Sequence, residues 1–247
     1  MPIIQIDINS DVGEGIGNEY QLLPLLSSCN IACGEHAGNE VTMREVIKLA
    51  VQHKVKIGAH PSYPDKENFG RISISITPEK LIESIQKQLL DFVTICDQEK
   101  AILHHIKPHG ALYNDIAKNT ELASLFLKTI EPYKETVKLY VPYNSVIEKI
   151  ALKNNFKILY EAFLDRNYND DLSLVSRKLP NSLLENKEEV LKHLIQIIQN
   201  KQVKTINQNF IPLKADTYCI HGDTATAFEI LTYLHNELPT HNIAIKK

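Results

Sequence analysis

The sequence lacks the local patterns by which several common classes of enzyme are identified. It contains no GxxxxGK(S/T) phosphate-binding loop, no GxSxG nucleophile elbow and no CxxC pair. The glycine-rich run at residues 13–17, GEGIG, does not have the GxGxxG spacing of a dinucleotide site. If a reaction of this chain consumes ATP, we therefore expect another polypeptide to bind the nucleotide.

The sequence also has little that would direct it to a membrane or to an oxidising compartment. The first residues, MPIIQIDINSDVGEG, have neither the basic segment nor the long apolar segment of a signal peptide. No apolar run approaches the roughly 20 residues that span a bilayer. The cysteines are too loosely spaced for a zinc or redox motif, so we expect buried free thiols. These absences predict a soluble, cytoplasmic protein whose cysteines are Cys29, Cys33, Cys96 and Cys219.

Charge of one sign is not in excess. The 247 residues include 27 Lys and Arg against 30 Asp and Glu, which gives a net charge of -3. This balance gives no electrostatic indication of a nucleic-acid partner. A hydrophobic content of 43% in a chain of this length is enough for a full core without metal or disulfide support.

Short β-rich runs alternate with helical patterns along the whole chain, which predicts parallel strands with helices outside them. Seven or eight such units favour a single parallel, TIM-like β/α barrel as one domain over residues 1–247, with a doubly wound open sheet as the alternative. The expected strands are residues 3–8, 28–32, 55–59, 102–106, 137–141, 157–160 and 217–220, with a weaker one at 203–206.

Two helix starts are well marked. Thr77 and Pro78 precede an apolar face over residues 81–96, as expected of a hydroxyl cap followed by proline in the first turn. Asn186 and Glu189 are spaced like a capping box at the start of a later helix.

Polar residues gather where the predicted strands end, and in a parallel barrel these ends lie on one face, where active sites are built. Histidines near carboxylates suit proton transfer, and a lysine or arginine suits a substrate carboxylate or a developing oxyanion. The candidate catalytic residues are Asp11, His36, Lys107, His109, His221 and Asp223. The candidate substrate-binding residues are Asn9, His60, Glu161, Asp165 and Arg166.

Within this set, Lys107 is expected on the oxyanion or phosphate side and Arg166 on a substrate carboxylate. Arg166 could instead pair with Asp165 or Glu161 to hold its loop. His109 and His221 are the candidates for proton transfer.

A metal site remains open as an alternative, because imidazole and carboxylate groups bind first-row metals. Its candidate ligands are Asp7, Asp11, His36, His60, His109 and His221. Other histidines have simpler interpretations: His53, His193 and His235 are expected to be exposed on helices. Of the neighbours His104 and His105, only one can point into the barrel.

Six motifs, in order along nearly the whole chain, resemble those of the LamB/YcsF family. They are DINSDVGEGIG at residues 7–17, SSCNIACGEHAG at 27–38, the segment from GAHPSYPD to FGR at 58–71, KPHGALYN at 107–114, EAFLDRNY with a following LVSR at 161–177, and CIHGD at 219–223. The chain departs from the family pattern at Glu35, Leu164, Ile72 and Asn181, none of which is a candidate catalytic residue.

The resemblance implies a β/α barrel related to the glycoside hydrolase/deacetylase superfamily. It also implies an ATP-dependent 5-oxoprolinase activity, a hydrolase reaction that opens the lactam of 5-oxo-L-proline to L-glutamate. The A subunit of that family works with B and C subunits, which would carry the ATP. A stand-alone metal-dependent deacetylase or amidohydrolase and a non-catalytic small-molecule binder are the alternatives.

Overall fold

The computed structural model describes residues 2–247, and its centre is a closed barrel of seven parallel strands. Strands β1 to β6 follow each other around the barrel, and β9 lies between β6 and β1. The predicted TIM-like barrel is thus confirmed, with seven strands, and the open-sheet alternative is wrong. The strands are β1 Ile4–Val12, β2 Ser28–Ala32, β3 Lys56–His60, β4 Leu103–Ile106, β5 Lys138–Pro142, β6 Ile158–Phe163, β7 Gln202–Lys204, β8 Phe210–Pro212, β9 Thr217–Cys219 and β10 Ile243–Ile245.

Three strands lie outside the barrel wall. β10 pairs in parallel with residues 4–6, at the amino end of β1. β7 and β8 form a separate antiparallel hairpin. The weak candidate at residues 203–206 is therefore a strand only in part and belongs to this hairpin, because a short apolar run does not reveal its pairing partner.

Helices surround the barrel and bury their apolar faces against it. They are α1 Glu19–Leu22, α2 Glu40–Gln52, α3 Pro78–Gln98, α4 Gly110–Ile116, α5 Thr120–Thr129, α6 Val146–Lys153, α7 Lys187–Asn200 and α8 Ala227–Glu237, with 3-10 turns at Leu23–Leu25, Glu131–Tyr133 and Leu238–His241. None of the helices formed by residues 2–247 combines the length and the apolarity needed to cross a bilayer.

The marked helix starts are largely as expected. The Thr77 hydroxyl accepts a hydrogen bond from the amide of Lys80, and Pro78 opens α3. At α7 the Asn186 side chain accepts from the amide of Glu189 at 2.9 Å. The reciprocal bond of a capping box is not formed there among the described residues, so that prediction is only half right.

The histidines on the helices are less exposed than expected. His193 is buried and lies 3.2 Å from the carbonyl oxygen of Phe163 through Nε2, while His53 and His235 are partly buried. The prediction was wrong because it used helical spacing alone. Helical spacing does not show which strand packs against the side of α7 that carries His193. All four cysteines are buried and free, as expected.

The first strand is longer than predicted, and this changes where its polar residues lie. Asp7, Asn9 and Asp11 are inside β1 and not after it. Side chains alternate along a strand, so these three point into the barrel while Ile6 and Ile8 face the helices. If a barrel interior is expected to be apolar, a segment in which polar residues alternate with apolar ones is interpreted as a loop and not as a strand.

The middle of the barrel is filled by a histidine packed over a glycine. His105, on β4, stacks on the Tyr140 ring at 3.9 Å and lies 2.6 Å from Asn30 Oδ1 through Nε2. A Cβ atom on Gly58 of the neighbouring strand would overlap the His105 ring. His105 is thus the one of the adjacent pair that points inward, and Gly58 makes the room for it.

We expect Gly58→Ala to lower the free energy of unfolding by about 1–3 kcal/mol, because the added methyl group overpacks the barrel interior. Urea unfolding of the single variants and of Gly58→Ala/His105→Ala measures the coupling. If the imidazole is the obstacle, alanine at position 58 is much less destabilising once His105 is alanine. An equal effect in both backgrounds would contradict this explanation.

His193 gives a prediction for acid pH. Burial lowers the pKa of His193 from 6.5 to about 4, so the folded state binds fewer protons than the unfolded state between these values. Its contribution to stability is lost as the pH falls below 6.5 and by as much as about 3 kcal/mol near pH 4. His193→Gln, which keeps a donor for Phe163, should show a shallower loss of stability over this range. His241→Gln, at an exposed histidine, is the control and should follow the wild type.

Candidate active site

A cavity of about 600 Å³ opens at the carboxyl ends of the barrel strands. The segments that follow β3, β4, β6 and β9 supply most of its lining. Six of the candidate residues line it: Asp11, His60, Lys107, His109, Arg166 and His221. The others lie behind these residues, at the rim, or deeper in the barrel.

Lys107 is a buried cation held between two buried carboxylates. Its Nζ lies 2.8 Å from Asp11 Oδ1 and 2.9 Å from Glu161 Oε1. Burial opposes its charge, but Asp11 and the other neighbours outweigh burial and raise the pKa of Lys107 well above 10.5. Lys107 is therefore a fixed ammonium group and not a proton acceptor.

The partners of Asp11 connect the cavity to the barrel interior. Asn30 Nδ2 donates to Asp11 Oδ1 at 2.7 Å. The second carboxylate oxygen, Oδ2, lies 3.4 Å from His60 Nε2 and 4.0 Å from His221 Nε2. Burial opposes ionisation, yet His60 and Lys107 together hold the pKa of Asp11 well below its usual value.

His221 and Asp165 form a dyad at one side of the cavity. His221 Nδ1 lies 3.0 Å from both carboxylate oxygens of Asp165, which also accept from the His221 amide and the Thr224 hydroxyl. Although burial opposes ionisation, His221 and these bonds lower the pKa of Asp165 to about 2. The imidazole is thus oriented by Nδ1, which leaves Nε2 towards Asp11 and the cavity.

Three histidines and a glutamate form a second buried group, which we call the histidine cluster: Glu14, His36, His60 and His109. Glu14 Oε1 lies 3.2 Å from His36 Nε2 and 3.3 Å from His109 Nδ1. Burial lowers the pKa of His36 to about 3 and also lowers that of His109, so both rings are neutral near pH 7. These four side chains could hold a metal ion.

Arginines dominate the mouth of the cavity. Arg166 is buried and donates to the carbonyl oxygens of Val175 and Ser182. None of the carboxylates within residues 2–247 forms an ion pair with it, so the pairing with Asp165 or Glu161 that we considered does not occur. Burial, together with the charge of Arg177, lowers the pKa of Arg166 to about 10, and it stays charged at neutral pH.

Asp223 has a different position from the one expected of a catalytic acid. It pairs with Arg71, and Arg177 lies 3.5 Å away. These contacts tie the loop after β9 to two distant segments at the rim. Whether Asp223 acts in catalysis stays a prediction, but its contacts are those of a residue that orients the arginines.

Two other candidates lie away from the cavity. Asp7 contacts Ser28, Lys56 and Thr217, at the amino ends of their strands, so it does not join the other candidate metal ligands. Asn9 bonds to Thr217 and to Asn30 in the barrel interior. Both were placed at the mouth because β1 was taken to end too early.

The sequence analysis did not single out several residues that the structure brings to the site. Arg71 and Arg177 line the mouth, and Glu14 completes the histidine cluster. Cys219 Sγ lies 3.3 Å from Lys107 Nζ. Arg71 and Arg177 are the last residues of two of the motifs quoted above, and this was the sequence signal that could have identified them. That both lie at the mouth of one cavity is visible only in the closed barrel.

Comparison with known proteins gives consistent matches over nearly the whole chain. The sequence profile of the LamB/YcsF family matches residues 6–247. A Haemophilus influenzae (strain PittEE) protein described as the A subunit of 5-oxoprolinase is 39% identical over 241 residues, with 98% of each chain covered. A Pyrococcus abyssi protein with the same description is 36% identical over 247 residues, covering 98% of this chain and 97% of the relative.

Among solved structures, the lactam utilization protein from Thermus thermophilus has the same fold. It matches with a TM-score of 0.91 and 29% sequence identity, covering 98% of this chain and 99% of that one. The cavity residues described above all fall within the region matched by the family profile.

Replacement of Lys107 by methionine should lower the free energy of unfolding by about 3–5 kcal/mol, because Asp11 and Glu161 would be left buried without their cation. Lys56→Met is the matched control, since its partly exposed pair with Asp7 should contribute at most about 1 kcal/mol. Urea unfolding measures both. Partial recovery in Lys107→Met/Glu161→Gln is expected, and equal losses in the two lysine variants would refute the assignment.

Proposed function

This chain belongs to the LamB/YcsF family, and we propose that it is the A subunit of an ATP-dependent 5-oxoprolinase in the cytoplasm. In this proposal it acts with B and C subunits to open the lactam of 5-oxo-L-proline to L-glutamate. The descriptions of the Haemophilus and Pyrococcus relatives support it. On the same basis we treat residues 1–247 as one domain.

The observation that carries the proposal is that one cavity contains both His221, a histidine oriented for proton transfer, and Arg166, a cation without a carboxylate partner. A five-membered lactam acid needs both. Its carboxylate requires a cation for positioning, and cleavage of its amide bond requires proton transfer. The cavity volume of about 600 Å³ leaves room for a small ligand together with a phosphoryl group.

We assign the substrate carboxylate to Arg166, with Arg71 and Arg177 beside it at the mouth. A guanidinium group can bind a carboxylate through two parallel hydrogen bonds. Lys107 then serves the lactam oxygen, where negative charge develops, because its ammonium is fixed and permanently charged.

His221 is the acid and base in this scheme. With Nδ1–H held by Asp165, Nε2 can take a proton from water as the water adds to the ring carbonyl carbon. It can then return that proton to the ring nitrogen as the carbon–nitrogen bond breaks. Asp11, close to His221 Nε2, stabilises the positively charged imidazole between these two steps.

The role of ATP follows from the poor reactivity of the lactam. Phosphorylation of the lactam oxygen reduces amide resonance, so water adds more easily and ring opening gives glutamyl phosphate. A second water releases phosphate and leaves L-glutamate. We place the phosphorylation on the B and C subunits, since this sequence has no phosphate-binding loop, and the arginine-rich mouth suits an intermediate that carries an additional phosphate.

The histidine cluster favours one alternative, a stand-alone metal-dependent deacetylase or amidohydrolase. The two functions differ in their requirements. The proposed function needs ATP and the partner subunits for glutamate release, whereas the alternative needs neither and hydrolyses an amide or acetyl group with this chain and a divalent metal alone.

We expect His221→Asn to lower glutamate release by about 10²–10⁴-fold in the enzyme reconstituted with B and C subunits, because a positioned acid–base group is lost. His235→Asn is the control, since His235 Nε2 lies 2.8 Å from the Leu25 carbonyl oxygen and His235 does not line the cavity. Circular dichroism and co-purification establish folding and assembly of each variant. Near-normal turnover by assembled His221→Asn would remove the catalytic assignment, and full activity without ATP would favour the alternative.

A further inference from the structure

A smaller space, which we call the side chamber, adjoins the main cavity and has a volume of about 150 Å³. The segments that follow β4, β5 and β6 supply most of its lining. It shares Tyr113 and Phe163 with the main cavity, and these two rings meet edge to face with 5.7 Å between their centroids. Its apolar and aromatic lining includes Pro142, Tyr143, Tyr168, Leu172, Leu174 and Leu213.

Glu161 contributes a carboxylate to the lining of the side chamber. Its side chain is shielded from bulk water, and Oε1 lies 2.9 Å from Lys107 Nζ. Neither carboxylate oxygen has a hydrogen bond of normal geometry to a group within residues 2–247. A carboxylate has about four acceptor positions, and a buried acceptor that stays unpaired costs free energy. A ligand that brings a donor to Glu161 removes this cost.

The Tyr113 hydroxyl is a second unpaired group in the same lining. Tyr113 is buried, and its hydroxyl has no hydrogen-bond partner among the described residues. Burial and, after it, the nearby charge of Glu161 raise the pKa of Tyr113 well above 10, so the hydroxyl keeps its proton at neutral pH. The side chamber therefore has a hydrogen-bond donor close to a hydrogen-bond acceptor.

A donor beside an acceptor matches one edge of a cis amide. In a five-membered lactam the ring holds the C=O and N–H groups on the same side of the amide bond. An acyclic amide is trans and directs these groups to opposite sides. A lactone has no N–H group and would place an oxygen lone pair against the carboxylate.

We propose that Tyr113 and Glu161 bind the amide edge of a small lactam, with Tyr113 donating to the C=O group and Glu161 accepting from the N–H group. A carbonyl oxygen has two lone pairs, so it can accept from Lys107 as well, as the proposed reaction requires. The short distance between Lys107 and Glu161 suits neighbouring atoms of one amide. Both residues then determine specificity for a lactam over a lactone.

This inference rests on the proposed function for the identity of the lactam, 5-oxo-L-proline. The match to the amide edge itself does not depend on the carboxylate of that substrate. Ring opening preserves the contact at nitrogen, because the ring N–H becomes the ammonium group of L-glutamate and remains a donor to Glu161.

The test compares two pairs of ligands on the full chain by calorimetry and ligand-observed NMR. The first pair is 5-oxo-L-proline and the lactone acid in which oxygen replaces its ring N–H. The second pair, 2-pyrrolidinone and γ-butyrolactone, has no carboxylate. In each pair we expect the lactam to bind about 10–100-fold more tightly, because only the lactam satisfies the carboxylate.

Glu161→Gln should reduce this preference to less than about 3-fold or reverse it, because the glutamine oxygen faces Lys107 and its NH₂ group replaces the acceptor. Tyr113→Phe removes the donor to the C=O group, which both ligands share. It should weaken lactam and lactone alike, by about 2–10-fold, and leave the preference unchanged. Glu229→Gln, at an exposed glutamate paired with Lys187, is the control and should bind as the wild type does.

The two pairs separate failure of this inference from failure of the proposed function. A preference for 2-pyrrolidinone that Glu161→Gln abolishes, without binding of 5-oxo-L-proline, would support the amide site and count against the proposed function. Equal binding of lactam and lactone by the wild type, or an unchanged preference in Glu161→Gln, would overturn the inference alone. If Glu161→Gln does not fold, the wild-type ratios decide. Binding of none of the four compounds would mean that the side chamber holds only water, and would overturn the proposal.

Discussion

The ion pairs of Lys107 determine much of what surrounds them. An ammonium group buried in a barrel is tolerated only if carboxylates compensate the loss of water, and here Asp11 and Glu161 do so at 2.8 and 2.9 Å. Each carboxylate in turn needs its own partners. The polar side chains around Lys107 thus form one connected network, in which loss of one member leaves another buried and unsatisfied.

That network explains why the barrel interior is polar where such interiors are often apolar. Asp11 accepts from Asn30, and Asn30 accepts through its oxygen from His105, which needs the space above Gly58. The network therefore extends from the cavity to the middle of the barrel. Precise placement of the cavity residues depends on this second layer, because a side chain is held in position only when its partners are also held.

The charges around the cavity are separated into two regions. Carboxylates and histidines lie on the barrel wall and just past the strand ends, and the arginines lie at the mouth on the segments after β3 and β6. In the proposed reaction, the mouth binds an anionic substrate while His221, held by Asp165, provides proton transfer. The arrangement keeps Arg166 free of carboxylates and available to a ligand.

The sequence by itself determined the alternation of strands and helices and the residue types at the strand ends, because these depend on local periodicity and spacing, and it favoured a barrel over an open sheet. It put Lys107, His109 and His221 at strand ends that line one cavity. It ended β1 early, because polar residues that alternate in a barrel interior resemble a loop. Only the tertiary structure decided that Asp11 pairs with Lys107 and that Arg166 has no carboxylate partner. Such contacts join residues far apart in the chain, and barrel closure and strand register, which no local pattern specifies, set the distances between them.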